Sequence, residues 1–325
     1  IIPSFFNELE KFDESFSTGD YSIQKKQFKQ LCNFISDHKI PFDELIVQSE
    51  IIDFCLDKYE RSNQDSDFGE IGLKILYSFA HSDSQYLNIL IERGFLEVCQ
   101  KFVFIGYPTF FPIEIDILNC LISNPETCRS LIKFDITKLF SRYKNFISHQ
   151  NQRPFYMFLS KYFKFFSINE GIVIECFKLF KLIKEKGFAS NYDLYDTIYW
   201  SEILFHLINS KYFDVDVFFD TALYIFYEQN YNNYDHIPFL GQFYSLFILK
   251  YPKFRTVISF DFLYYINLIQ HDKSNEDLEP ENEKSIENIK AEEDIRSVAY
   301  NTLAFYLQVF HDQEQIDIQE GISNG

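Results

Sequence analysis

The chain has 325 residues, 46% of them hydrophobic and 24% charged, and carries a net charge of −18. That is the balance of a folded chain rather than a disordered one, and so acidic a surface argues against a nucleic-acid binder, because it repels phosphate. With only 10 Gly and 9 Pro, the sequence lacks the turns that an all-β fold needs every ~8–12 residues.

Read in chain order, one short apolar signature recurs. It starts at Leu31, Leu76, Leu118, Tyr162, Leu204, Leu246 and Leu303, with steps of 45, 42, 44, 42, 42 and 57 residues. A fixed period of this size is the mark of a repeat array. The second period shows the plan. Glu70–Ala80 places Ile71, Ile75, Leu76 and Phe79 on one helical face. The run His81-Ser82-Asp83-Ser84 breaks the helix and supplies an N-cap. Gln85–Glu92 is a short second helix closed by Gly94 in a left-handed cap, and Phe95–Phe104 is a third. The next period predicts a helix capped by Asn124, with Pro125 at its first position. No such segment buries its apolar face alone, so neighbouring copies must stack. The long sixth step is explained by an insertion over 272–294, with ten acids against three lysines, which reads as a solvated loop. Residues 316–325 read as a tail.

Two stretches carry a family resemblance: "ILYSFAHSDSQYLNILIERGFLEVCQKFV" (75–103) and "ILNCLISNPETCRSLIKFDITKLFSRY" (117–143). Both resemble armadillo repeats, in which a long third helix ends in a Leu-x-Asn-Leu pattern before a polar turn and two further helices. HEAT repeats are the near neighbour. The resemblance implies an all-α, right-handed α-solenoid of about seven copies, each ~42–45 residues long. The resemblance covers roughly residues 20–310, and the chain is expected to form one solenoid domain over residues 1–315.

Candidate chemistry is sparse. The seven His (His38, His81, His149, His206, His236, His271 and His311) are scattered. No H-E-x-x-H, P-loop, G-x-G-x-x-G or G-x-S-x-G motif occurs. No catalytic residue, cofactor site or metal site is therefore assigned. The six Cys form no C-x-x-C pair and fall mostly in apolar stretches, as buried thiols of a reducing compartment do. The longest apolar stretches, such as Phe239–Leu249, are too short to span a membrane, and no basic leader precedes them. The chain starts at Ile1 rather than Met, and a longer native N-terminus is left open.

Two surfaces are candidates for binding. Peptide-clamping armadillo proteins carry a Trp-x-x-x-Asn ladder along their third helices. The equivalent positions here include Lys29, Asn33, Lys74, Ser78, Glu202, His206 and Tyr244. Only Asn33 fits the ladder, and no Trp does, so this concave groove suits one particular partner better than a class of import signals. The other surface is a basic belt. Between 129 and 187, twelve basic residues stand against four acids, a net of +8, which leaves −26 for the rest of the chain. Pairs at helical spacing stand out: Lys138 with Arg142, Lys161 with Lys164, and Lys178 with Lys181. Charge asymmetry of this kind steers association with an acidic surface.

The sequence therefore predicts a non-enzymatic, protein-binding scaffold or adaptor. It is expected inside the cell, in the cytoplasm or on the cytoskeleton, and is not inserted in a membrane. A structural component of a cytoskeletal or ciliary assembly, docked through the belt, is the alternative. An enzyme or enzyme-regulating subunit has no support in the motifs.

Overall fold

The structure is a computed structural model that describes residues 1–101, 109–146, 149–186 and 194–218. Helices dominate the described residues and no strand occurs among them, so the all-α expectation holds. The chain divides into two compact units, Ile1–Leu182 and Ile183–Gly325.

The first unit begins with α1 (Ile2–Ser17), whose Phe5, Leu9, Phe12 and Ser15 form one buried stripe. It packs on α2 (Tyr21–His38), which is started by Asp20, whose carboxylate accepts from the N–H groups of Ser22 and Ile23. Next come α3 (Glu44–Gln48), α4 (Ile51–Glu60) and α5 (Ser66–Ser82). These are followed by α6 (Ser84–Glu92), α7 (Phe95–Lys101) and α8 (Phe110–Ser123). The unit continues through α9 (Ile136–Phe146), α10 (His149–Phe165) and α11 (Glu170–Lys186), whose last turn crosses the boundary between the units.

The long helices follow one another in space as in sequence: α2 packs on α5, α5 on α8, and α8 on α10. Their signature residues are interior, with Leu31, Leu76 and Leu118 fully buried and Tyr162 nearly so. Several bonds join residues 40 to 45 positions apart in sequence. Ser36 and Ser78 share a hydrogen bond of 2.9 Å across 42 residues, and Tyr86 donates to the Pro41 carbonyl at 3.0 Å across 45. Arg93 pairs with Asp53 at 3.0 Å, 40 residues apart.

The capping chemistry repeats as well. Asp43 and Asp83 each accept an N–H two residues on, at 2.8 and 2.9 Å, starting α3 and α6. Asn124 accepts from Glu126 at 2.8 Å, and Asn169 caps α11 by accepting from Ile172 at 3.0 Å. Between the short and second helices the backbone passes through the left-handed region, at Glu50 (φ 61) in one period and Gly94 (φ 86) in the next. At Gly72, helix α5 approaches α4 so closely that an added Cβ would lie 2.9 Å from the Cys55 carbonyl oxygen.

The structure differs from the sequence expectation in two places. The predicted helix after Asn124 is a turn leading into a 3-10 helix at Cys128–Lys133. Buried Thr127 donates to the Leu121 carbonyl at 2.7 Å, tying the turn back onto the end of α8. Further along, a single 17-residue helix, α11, stands where the repeat plan puts a short helix and a second one.

In the second unit, α12 (Leu194–Ile208) buries Ile203, Leu204, Leu207 and Ile208, and α13 (Val215–Phe218) follows. Leu246, Leu303, the acidic insertion 272–294 and the tail 316–325 lie outside the described residues.

Candidate functional site

The groove residues of the first unit lie on two adjacent helices. Lys29 and Asn33 are exposed on α2, and Lys74 is exposed on α5, paired with Glu70 at 2.6 Å. Ser78 is no groove residue: it is buried, bonded to Ser36 on α2, and donates to the Lys74 carbonyl at 3.0 Å. A small hydroxyl at this point lets α2 and α5 meet, which is a packing role. In the second unit Glu202 is exposed and His206 half-buried on α12. Tyr244 lies outside the described residues.

The basic belt is only partly a surface. Lys164, Lys178 and Lys181 are exposed, and Lys178 pairs with Glu175 at 2.7 Å. Lys138 is half-buried, as is Lys161, which donates to Ser123 Oγ at 2.8 Å. Arg142 is a correction to the sequence reading. Its side chain is 2% exposed and forms an ion pair with Glu114 of α8, itself 1% exposed. The guanidinium also donates to the Cys99 carbonyl at 3.5 Å and stands 5.5 Å from the Phe111 ring centre. It joins α7, α8 and α9 from inside. Burial pushes the Glu114 carboxyl up to about 7, against the opposing pull of the Arg142 charge. Among the described residues, Glu114 Oε1 and Arg142 Nε have no hydrogen-bond partner.

Beside the belt is a cleft of about 330 Å³ between the 3-10 helix, the start of α9, the end of α10 and the start of α11. Ile136, Tyr162 and Ile172 are buried in its lining, while Ile132 and Phe165 are 70% and 54% exposed. Each bared side chain has an exposed lysine next to it in sequence, Lys133 and Lys164. Asp135, the acid in the lining, already accepts from Thr137 at both the backbone (3.2 Å) and the hydroxyl (2.5 Å). The charge count marked this stretch of chain, but the cleft depends on which apolar residues are left uncovered, which no periodicity reveals.

A contact that motif reading missed joins α5 to α8. The His81 ring lies tilted against Tyr77, ring centres 4.1 Å apart, with its Nδ1 3.0 Å from the Tyr77 carbonyl oxygen and its Nε2 3.4 Å from Cys120 Sγ. The one-period separation of 39 residues is the signal that links them. Burial, then the Asp116 charge, pushes the Cys120 thiol up to about 11, with Lys161 opposing. A thiol held protonated is a hydrogen-bonding group and a poor nucleophile. Among the described residues, no group of three His, Cys, Asp or Glu is placed to hold a metal ion, and no helix is long and apolar enough to cross a membrane.

No protein-family model matches this chain, and neither a curated protein nor a solved structure does.

Proposed function

We propose that the chain is a non-enzymatic scaffold that binds protein. In this reading its helices continue as a right-handed, armadillo-like solenoid of about seven copies, and an acidic partner segment docks on the basic belt and the cleft beside it. The observation that carries the reading is one cleft with two bared apolar side chains, Ile132 and Phe165, each followed or preceded in sequence by an exposed lysine, Lys133 and Lys164. Exposed apolar surface rimmed by polar groups is what protein interfaces present. The cations set rate and salt dependence, while the apolar anchors hold the complex. The stacking of α2, α5, α8 and α10 and the repeated caps support the solenoid. The free thiols Cys32, Cys55, Cys99, Cys120 and Cys128 support a reducing, intracellular site.

The test uses a glutamate-rich peptide carrying one phenylalanine, titrated into the full chain at rising salt. The expected result is binding that weakens with salt, and an affinity loss of about tenfold or more when Lys133, Lys164, Lys178 and Lys181 are reversed to Glu. Arg142 is left alone in that variant because it is buried. Unchanged affinity, with the circular dichroism spectrum also unchanged, would show that the belt is only a solvated face.

A further inference from the structure

A second cleft, of about 490 Å³, opens between α1 and α4. Its floor is aromatic: Phe12, Phe16 and Phe54 meet edge to face at 5.1 to 5.7 Å between ring centres. Its rim is acidic, with Asp13 from α1, Glu50 from the left-handed link, and Asp53 and Asp57 from α4. Two of these are already neutralised, Asp53 by Arg93 at 3.0 Å and Asp57 by Arg61 at 2.9 Å. No cation partners Asp13 or Glu50 among the described residues. The Lys58 ammonium lies 4.9 Å from the centre of the Phe54 ring, so this cluster already receives one cation from the chain itself. Phe16 is 41% exposed and offers a second ring.

We infer that the α1–α4 cleft is a binding site for an arginine side chain of a basic partner segment, with Phe16 under the guanidinium and Asp13 and Glu50 at its edges. Aromatic faces attract cations through the ring quadrupole. Arginine suits the site better than lysine, because a planar guanidinium lies flat on a ring while its N–H groups reach carboxylates at the side. Burial holds the Asp13 carboxyl above its ordinary value, a cost that an incoming cation reverses. This rim is acidic where the belt proposed as the other docking surface is basic, so the two sites select different segments.

The test is isothermal titration calorimetry of the full chain with a blocked peptide of arginines spaced by glycine and serine, beside lysine and citrulline counterparts. The arginine peptide should bind, the lysine peptide more weakly, and the uncharged citrulline peptide not at all. The double variant Asp13→Asn/Glu50→Gln should lose roughly tenfold in affinity, and Phe16→Leu roughly threefold. A control double variant, Asp37→Asn/Glu92→Gln, removes the same charge from exposed positions elsewhere and should bind as the parent does. The assignment is overturned if the parent fails to bind, if the lysine peptide binds as tightly as the arginine one, or if the control loses as much as the rim variant. Thermal melts establish that the variants are folded. If Phe16→Leu fails that check, the rim variant still decides.

Discussion

Arg142 shows how one side chain changes meaning between sequence and structure. With Lys138 at i−4 it reads as half of a surface pair, yet it lies inside, against Glu114 on the preceding long helix. Nothing local distinguishes a solvated cation from a buried one, because the partner is 28 residues away. The pair has a consequence for stability against pH. Glu114 is held above its ordinary value of 4.5, at about 7, so the folded chain binds its proton more tightly than the unfolded chain does. Its contribution to stability is therefore complete below about pH 4.5 and is lost as pH rises through about 7. Glu114→Gln mimics the protonated form. It should narrow the difference in melting temperature between about pH 5 and about pH 8. A variant with the parent's full pH dependence would show that other groups set it.

At the scale of elements, much was legible. The α5–α6–α7 succession follows its capping residues: Asp83 starts α6, and Gly94 turns the chain by adopting φ 86. The equivalent link at Glu50 makes the same turn, φ 61, with a side chain that disfavours it. Gly94→Ala should therefore destabilise the chain by about 1–2 kcal/mol. Glu50→Gly should be neutral or slightly stabilising, since relief of strain offsets the added freedom of the unfolded chain. Chemical denaturation measures both, and equal losses at the two positions would contradict their equivalence. Less legible were the 3-10 helix after Asn124 and the unbroken α11. Short segments of mixed polarity take their form from tertiary contacts such as Thr127 to Leu121, which leave no periodic trace.

At the scale of the molecule, a recurring step of about 42 residues is readable in the sequence, and a solenoid would bury the equivalent positions of its copies. Leu31, Leu76, Leu118 and Leu204 are all fully buried. The sites were less readable. Charge counting found the stretch that contains this cleft, but its exposed apolar residues, Ile132 and Phe165, carry no mark in the sequence, because helical periodicity cannot say which face finds a neighbour. The acidic–aromatic cleft gave no sequence signal, since Phe16, Glu50 and Asp13 join only through the packing around Phe54. The proposal that the chain binds protein through the cleft beside the basic belt is tested most directly by hydrogen–deuterium exchange with the glutamate-rich peptide present. Slowed exchange is expected in 132–137 and 162–172, the segments that hold the cleft's lining residues. Peptide binding that leaves those segments unprotected and slows exchange elsewhere would contradict it.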